Sequence, residues 1–354
     1  MTYRVGISGL GRGIGPGRVF GLMPDCNVVA GADPDRAARE RVEGTFPDIR
    51  TFSTYDEMLR FGLDIVVVAT PMPLHHDQTI AGLEAGCHVM QEVTLANTIQ
   101  EAKDIVAAVR AHPNQKFMLA ENNCYLGHIM SWSKLWRDGM LGDFMYAEAE
   151  YVHDIRYLLR KPDGTPTWRA SRPPIVYCTH SLGPLMKVTG ERCTVACGFN
   201  TGSKLAPEVG HIDFGVGIFK TASGGAIKVL RAQAVAREPA MHYYSIYGTK
   251  GVLETARPPY PMQTNAWLEG VPHLRSMIEM PLSGDVPGAP REAYAGGHGT
   301  VEWFMVADFM ESIRKDSKPP IDVEMGWNMT IPGLCAHQSA VNGGAPVEVP
   351  PVPA

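Results

Sequence analysis

The chain has 354 residues, a length that accommodates two domains of ordinary size. Its 32 Lys and Arg residues stand against 37 Asp and Glu residues, and the formal net charge of −5 argues against a nucleic-acid partner, which cationic side chains would have to hold. Hydrophobic residues make up 45% and charged residues 19%, so the composition is that of a globular protein and excludes a disordered chain.

The cysteines and the N-terminus indicate the compartment. The 7 cysteines, an odd number without a Cys-x-x-Cys pair, favour free thiols over a disulfide framework or a zinc ribbon. The N-terminal residues Met-Thr-Tyr-Arg-Val-Gly lead into a predicted strand without an apolar export signal. No apolar stretch approaches the ~20 residues that cross a bilayer. We therefore expect a cytoplasmic protein without a membrane partner.

Strand-like and helix-like segments alternate through the first third of the chain. Thr98 and Glu101 form a capping box before an apolar helical stripe, and Thr54 and Glu57 repeat the capping pattern. This alternation predicts an α/β domain, a Rossmann fold with a doubly wound parallel sheet, over residues 1–125. Its predicted buried strands are the apolar runs at 3–8, 28–33, 64–69, 88–91 and 117–121.

Over residues 126–354 the pattern changes to consecutive strands. It predicts an α+β domain with a large, mostly antiparallel sheet that is open on one face. Because a second subunit commonly covers such a face, we expect a homo-oligomer, either a dimer or a tetramer. Segment 256–297, rich in Pro and Gly, is predicted to be a long loop, and helices are predicted at about 299–315 and 325–341. The predicted strands lie at 144–154, 193–200, 211–220, 226–236, 241–248 and 252–255.

A glycine-rich turn follows the first predicted strand, with the sequence Gly9-Leu-Gly11-Arg-Gly13-Ile-Gly15. Its glycines allow the backbone to approach a pyrophosphate at a helix N-terminus, although Ile14 occupies the third glycine position of the dinucleotide-binding motif. Asp33 lies 24 positions after Gly9, where an acid accepts hydrogen bonds from a ribose diol and repels a 2′-phosphate. These features favour NAD(H) over NADP(H). The structural alternatives are a glycine turn without a ligand and Asp33 as a helix cap.

Further motifs complete a resemblance to a known superfamily. Thr70-Pro71-x-x-x-His75 lies at the carboxyl end of a predicted strand, and Leu-Glu-Ala-Gly-x-His-Val precedes the next strand. Together with Gly-Leu-Gly and strand-Asp-Pro, these motifs resemble the glucose–fructose oxidoreductase/inositol dehydrogenase (Gfo/Idh/MocA) superfamily. Its dehydrogenases have Glu-Lys-Pro, with a lysine that assists proton removal, where this chain has Glu92-Val93-Thr94. The predicted cofactor contacts are Gly9, Gly11, Arg12, Asp33, Thr70, Pro71, His75, Glu92, Val93, Glu121 and Asn122.

A second set of motifs accounts for the missing lysine. It comprises Ala120-Glu-Asn-Asn-Cys-Tyr, Glu150-Tyr-Val-His-Asp-Ile-Arg, Trp168-Arg169, Tyr177-Cys-Thr-His-Ser-Leu-Gly-Pro, Gly248-Thr-Lys-Gly and Gly297-His-Gly. These motifs resemble glycoside hydrolase family 109, whose members share the superfamily fold and also have Glu-Val in place of Glu-Lys. This chain departs from the family pattern at Thr94, where the relatives usually have Pro, and at Cys124, where they have Asn.

What this resemblance implies is cleavage of a small-molecule glycoside with NAD as a resident catalyst. NAD⁺ takes a hydride from C3 of the sugar, the ketone acidifies the C2 proton, and a base removes that proton so that the group at C1 is eliminated. Water then adds and the hydride returns, so there is no net redox change. Unlike common glycosidases, this route needs no pair of carboxylates. The motifs do not specify the sugar, the anomer or the charge of the substrate.

The same resemblance assigns roles in the second domain. Tyr151 is expected to be the base at C2 and His180 the group at the C3 hydroxyl, a role that suits an imidazole with an unperturbed pKa of ~6.5. The unperturbed pKa of a tyrosine is ~10, so Tyr151 needs a nearby cation, such as Arg156 or Arg169, to lower its pKa. Glu121 and Asn122 are expected near the nicotinamide. The predicted substrate contacts are His153, Arg169, Tyr177 and His298.

Each role has a structural alternative. Tyr151 on a strand is otherwise a core or interface aromatic, His153 and Asp154 otherwise satisfy each other, and His298 is otherwise part of a helix cap. Four arginines form either a solvated face or a site for an anionic sugar, namely those at 156, 160, 169 and 172.

Two rival functions remain at this stage. One is an NAD-dependent sugar or cyclitol dehydrogenase in which His180 or Tyr151 replaces the lysine, and the other is an inert sensor that keeps the cofactor fold. A metal site is not predicted, because the spacings of His75, His76 and His153 match no tetrahedral pattern.

Overall fold

The computed structural model describes residues 2–258 and 263–354, which fold into two compact units. The first unit comprises Met1–Tyr125, Pro287–Trp327 and Val352–Ala354, and the second comprises Leu126–Val286 and Asn328–Pro351. The sequence pattern predicted two consecutive domains, 1–125 and 126–354. The structure differs in the segments after residue 286, which alternate between the units, because a helical pattern does not show to which unit a returning helix belongs.

A six-stranded parallel sheet forms the centre of the first unit. In chain order its strands are β1 (Tyr3–Ser8), β2 (Cys26–Ala32), β3 (Arg50–Phe52), β4 (Ile65–Val68), β5 (His88–Gln91) and β6 (Phe117–Leu119). The spatial order is β3-β2-β1-β4-β5-β6, the order of a doubly wound Rossmann fold, as the sequence predicted. Only β3 was missed, because it has three residues and none of them is buried.

Helices connect these strands, and threonine caps begin two of them. They are α1 (Ile14–Phe20), α2 (Arg36–Glu43), α3 (Tyr55–Leu59), α4 (His75–Glu84) and α5 (Ile99–Ala111). Thr54 and Glu57 form the predicted capping box at α3. At α5 the Thr98 hydroxyl accepts a hydrogen bond from the Glu101 amide at 3.1 Å, but the Glu101 carboxylate accepts from the Asn97 amide at 2.8 Å instead of closing the box.

The second unit contains a nine-stranded, mostly antiparallel sheet. Its strands are β7 (Phe144–Val152), β8 (Cys193–Asn200), β9 (Phe214–Thr221), β10 (Ala226–Ala232), β11 (Met241–Gly248), β12 (Gly251–Thr255), β13 (Thr264–Leu268), β14 (Ile278–Met280) and β15 (Val347–Glu348). The spatial order is β14-β13-β12-β11-β7-β10-β9-β8-β15. Strands β7 and β10 pair in parallel, with Arg231 opposite Tyr151. The predicted α+β class is confirmed.

The prediction of a long loop over 256–297 was wrong. This segment contains β13, β14 and a 3₁₀ helix at Arg291–Gly296. Along β13 buried and half-buried residues alternate, as expected for a strand with one buried face, but the run of five residues is too short to stand out between prolines. Residues 259–262 of the predicted loop lie outside the described residues.

The two faces of the large sheet differ in exposure. Helix α7 (Thr179–Thr189) packs against β7 and β11, and α6 (Gly127–Arg137) packs against α7. Residues that point to this inner face, such as Ala147 and Ala149, are fully buried. On the outer face Phe199 is 60% and Ile218 55% exposed, so this face is open within one chain.

Two helices were predicted near the C-terminus, and both are confirmed. They are α8 (Val301–Arg314) and α9 (Val323–Val341), which overlap the predicted ranges 299–315 and 325–341. Across residues 2–258 and 263–354 no helix combines the length and the apolar character that crossing a bilayer requires.

His128 on α6 is a buried histidine that resists protonation. Its side chain is 0% exposed, and its ring packs edge-on against Trp132 with the centroids 5.6 Å apart. Burial lowers the pKa of His128 from 6.5 to about 4, although its Nδ1 lies 3.2 Å from the Ser283 carbonyl oxygen, which favours the charged form. The folded chain therefore holds this imidazole neutral.

We expect the second unit to lose stability between pH 6.5 and about 4, because the unfolded chain binds a proton at residue 128 that the folded chain refuses. The loss at the acid end of this window is about 3 kcal/mol from this one group. Substitution of His128→Gln should flatten the pH dependence of the free energy of unfolding, measured by denaturant titration. The exposed residue His273, replaced by Gln, is the control. An unchanged pH dependence in H128Q would contradict the assignment.

Candidate active site

The glycine turn of the first unit contains two kinds of glycine. The fold requires some of them for steric reasons, but it does not require Gly11. Gly9 has a φ of +87°, and a Cβ built there would lie 2.4 Å from the Ala69 carbonyl oxygen. A Cβ on Gly13 would lie 2.5 Å from the side chain of Ile7. A Cβ on Gly11 would meet nothing within 4 Å. The backbone at Gly11 is therefore open to a ligand, and a side chain at this position would occupy that space.

Asp33 lies directly after β2 and ties the loop that follows to the glycine turn. Its Oδ2 accepts a hydrogen bond from the Leu10 amide at 2.9 Å, and its Oδ1 accepts from the Asp35 amide at 2.9 Å. The cap of α2 is Asp35, whose carboxylate accepts from the Ala37 amide at 3.0 Å. The alternative of Asp33 as the helix cap is therefore wrong.

His75 is held in the protein interior at the start of α4. It is 1% exposed, with Nε2 at 2.9 Å from the Thr70 carbonyl oxygen and Nδ1 at 3.1 Å from that of Thr94. The imidazole thus joins the loop after β4 to the loop after β5, in which the Val93–Thr94 peptide bond is cis. Pro71 precedes the 3₁₀ helix of residues 72–74 in that first loop. The cofactor contact predicted for His75 stays a prediction.

A charged cluster surrounds Arg12 in the first unit. Arg12 Nε lies 2.8 Å from Glu92 Oε1, and its NH1 lies 3.1 Å from His298 Nδ1 and 3.7 Å from Glu302 Oε1. His298 also forms a hydrogen bond with Glu302, which is 0% exposed. Burial raises the pKa of Glu302, but the hydrogen bond and the charges of His298 and Arg12 outweigh it and keep that pKa below its ordinary value.

Glu302 was missed from the sequence. Its position could have indicated a role, because Glu302 lies four residues after His298 and in the first turn of α8, where an acid commonly stabilises a helix. The structure places His298 beside Arg12, a predicted cofactor contact, and the substrate contact predicted for His298 stays a prediction.

Glu121 and Asn122 follow β6 and are buried. They are 0% and 6% exposed, and Glu121 Oε1 accepts a hydrogen bond from the Asn123 amide at 3.1 Å. Within the described part of the chain, Asn122 Oδ1 has no hydrogen-bond partner. A buried amide oxygen without a partner is unusual in a folded protein and suits a ligand that donates to it.

In the second unit, Tyr151 is held between a cation and an imidazole. The pairing of three strands puts Arg231 on β10 and His242 on β11 opposite Tyr151 on β7. The Arg231 guanidinium carbon lies 3.9 Å from the centroid of the Tyr151 ring. The His242 ring is stacked on Tyr151 with the centroids 4.0 Å apart and the planes 24° apart. Neither Arg231 nor His242 was identified from the sequence.

The predicted polar residues gather around this ring. Tyr151 Oη lies 3.0 Å from His153 Nδ1, and the Tyr151 and His180 ring centroids are 5.6 Å apart. The Tyr177 and His180 centroids are 5.3 Å apart, and the Tyr244 hydroxyl donates to the His180 carbonyl oxygen at 2.6 Å. All of these except Tyr244 are partly exposed, so a ligand can reach them.

The ionic partners differ from those expected. Asp154 pairs with Arg156 at 2.7 Å, so it does not satisfy His153, and the Arg156 charge is neutralised. The cation beside Tyr151 is therefore Arg231, not Arg156. The Arg169 guanidinium lies 4.4 Å from the Trp168 ring.

Burial sets the charges in this group. It lowers the pKa of His242 well below the ordinary value, and the neighbouring His180 and Arg231 side chains act in the same direction. Burial also lowers the pKa of His153, with Arg231 adding to the effect and Glu238 and Asp154 opposing it. Both imidazoles are therefore neutral at neutral pH, and the permanent charge beside Tyr151 is the guanidinium.

Two family models match the chain. Residues 3–120 match the oxidoreductase family with the NAD-binding Rossmann fold, and residues 208–352 match the C-terminal domain of glycosyl hydrolase 109.

Individual relatives agree with both matches. A glycosyl hydrolase family 109 protein of Solibacter usitatus is 28% identical over 317 residues, which cover 82% of this chain and 72% of that protein. An alpha-N-acetylgalactosaminidase of Shewanella oneidensis is 25% identical over an alignment that covers 99% of this chain and 84% of the relative. A levoglucosan dehydrogenase solved with NADH and L-sorbose superposes with a TM-score of 0.85 at 19% identity, covering 99% and 100% of the two chains, and shows the fold alone.

The glycine geometry predicts opposite results at two neighbouring positions. Gly9→Ala should lower the free energy of unfolding by at least about 2 kcal/mol, because it combines a left-handed backbone with a carbonyl clash. Gly11→Ala, facing open space, should change it by less than about 0.5 kcal/mol. Denaturant unfolding of both variants checks this, and equal losses would contradict the reading of the turn.

Proposed function

The chain belongs to the Gfo/Idh/MocA superfamily and is of the glycoside hydrolase family 109 type, and on this premise we propose that it is an NAD-dependent glycoside hydrolase. The observation that supports the proposal most is the arrangement around Tyr151. The Tyr151 ring lies between Arg231 and His242, and its hydroxyl forms a hydrogen bond with the imidazole of His153. In addition, the chain has Val93 where the dehydrogenases of the superfamily have lysine.

The residues of the first unit fit NAD. The open backbone at Gly11 suits a pyrophosphate, the Asp33 carboxylate suits a ribose diol, and the unpartnered Asn122 Oδ1 suits the amide of a nicotinamide. When bound, NAD would supply the oxidation of sugar C3 and its later reversal. The Arg12 cluster would contribute charge near the turn, since its guanidinium is partly exposed and is held in place by Glu92 and Glu302.

The residues of the second unit would move protons. His180 would take the proton of the C3 hydroxyl, for which an imidazole is suited at neutral pH. Tyr151 would take the C2 proton as the group at C1 leaves. His153 Nδ1, 3.0 Å from Tyr151 Oη, would exchange protons with that hydroxyl and keep it oriented. Tyr177 and Arg169 would contact the sugar, whereas the substrate contact predicted for His298, a residue of the first unit, stays a prediction.

We also propose that the outer face of the large sheet pairs with a second copy of the chain. Its exposed apolar residues, Phe199 and Ile218, support this, because a monomer rarely leaves large side chains exposed on a sheet of this size.

The stoichiometry of the nicotinamide tests the function directly. In a panel of neutral, N-acetylated and acidic aryl glycosides with NAD⁺ present, we expect many turnovers of aglycone release from at least one member without net accumulation of NADH. A dehydrogenase would instead accumulate one NADH for each sugar oxidised. An inert sensor would give neither signal, and either result contradicts the proposal.

The role of Tyr151 predicts an isotopic label. Hydrolysis in D₂O should place deuterium at C2 of the released sugar, and Tyr151→Phe should slow both release and labelling by about 100-fold or more, the usual contribution of a general base. Tyr146→Phe is the matched control, because Tyr146 lies on the same strand and bonds Glu148 on the outer face. Product without label at C2 would contradict the assignment of Tyr151.

A further inference from the structure

Arg231 is a buried cation that no acidic side chain of the described residues neutralises. Its side chain is among the largest that are fully buried, with 1% exposure. Across residues 2–258 and 263–354 no Asp or Glu forms an ion pair with it, and its Nε has no hydrogen-bond partner. Within the described part of the chain, its guanidinium donates a hydrogen bond from NH1 to the Tyr151 carbonyl oxygen at 3.2 Å.

An arginine of this kind calls for an explanation, because a buried charge is costly unless another group compensates it. Arg257 shows the ordinary solution on the outer face of the same sheet. Its guanidinium carbon lies 3.9 Å from the Tyr243 ring, the same distance as Arg231 from Tyr151, but its nitrogens bond Glu150 at 2.6 and 2.9 Å. Arg231 therefore contacts a tyrosine ring as Arg257 does, but among the described residues no carboxylate pairs with it.

We infer that Arg231 is a positioning residue that stabilises the phenolate of Tyr151 whenever it forms, the guanidinium and the ionised ring making the ion pair that no carboxylate among the described residues provides. This inference deepens the proposed function, on which it rests, by assigning the group that makes a tyrosine basic enough to remove a C2 proton. The charge of a phenolate extends over the ring, so a cation above the ring face interacts with it directly.

The protein surroundings of Tyr151 leave the guanidinium as the controlling charge. Burial lowers the pKa of Arg231, but the side chain stays protonated, as guanidinium groups do. Of the neighbouring groups that raise this pKa, Tyr151 has the largest effect. His242, on the other face of the ring, and His153, at the hydroxyl, are neutral because burial lowers the pKa of each. Among the described titratable groups, Arg231 on β10, His242 on β11, His153 after β7 and His180 on α7 contact Tyr151. Behind them, Tyr177 on the 3₁₀ helix Pro174–Tyr177 contacts Arg231, and Tyr244 on β11 contacts His242.

The proton balance of this step is simple. The O–H bond of Tyr151 breaks, an N–H bond forms at His153 Nδ1, and the lowered pKa of His153 then favours release of the proton to water from its partly exposed ring. The phenolate and the guanidinium remain as a pair.

The pH at which Tyr151 ionises tests the inference without sugar or nucleotide. It is measured in the free protein by ¹³Cζ-tyrosine NMR, with the Tyr151 signal identified by its loss in Tyr151→Phe. We expect wild-type Tyr151 to ionise at least about one pH unit below the ~10 of a free tyrosine. Arg231→Met should raise this midpoint by about one unit or more, and Arg231→Lys should retain part of the effect. Arg257→Met, the matched control, should leave Tyr151 unchanged.

The outcomes separate the inference from the proposed function. If folded wild-type protein ionises Tyr151 at or above ~10, the inference is overturned whatever the variants do, even if the chain cleaves glycosides. If the low midpoint and its dependence on Arg231 are found, the inference holds even if no glycoside is cleaved. Should Arg231→Met fail to fold, the wild-type midpoint and the Arg231→Lys shift decide, and an unchanged midpoint in a folded Arg231→Lys counts against the ion pair.

Discussion

The contact between the Arg231 guanidinium and the Tyr151 ring is the constraint on which the chemistry of the second unit depends. It arises from the parallel pairing of β7 and β10, which puts the two residues opposite each other on the inner face. A shift of either strand by one residue would turn its side chain to the outer face, so the alternation of buried and more exposed residues along both strands fixes the contact. His242 closes the other side of the ring in the same register.

The two units manage charge in opposite ways. In the first, the guanidinium of Arg12 is shared between the carboxylates of Glu92 and Glu302, so this cation has anionic partners within the protein. In the second, the guanidinium of Arg231 is compensated only when a neighbouring group ionises. A paired charge suits residues that hold a bound group in place, whereas the guanidinium of Arg231 suits a site in which a neighbouring group, Tyr151, must change its protonation during a reaction.

The features that the sequence predicted are those that local pattern determines. The buried strands, the threonine caps, the glycine turn and the position of Asp33 depend on neighbours within about 30 residues, the length of a βαβ unit. Arg231 lies in a predicted strand, but its partner Tyr151 is 80 residues away, and the pattern of one strand does not show which strand it pairs with. The same reason hid Glu302, whose partner Arg12 belongs to the glycine turn, and it led to Arg156 being expected beside Tyr151.

The central claim is that a carbon–hydrogen bond of the sugar at C3 breaks and forms again while the glycosidic bond is cleaved. The most direct test is the rate of aglycone release, in a single turnover, from a glycoside that carries deuterium at C3. The account predicts slower release than from the unlabelled glycoside, with the deuterium retained at C3 of the released sugar. Equal rates for the two glycosides, with product formed from a 3-deoxy analogue as well, would contradict it.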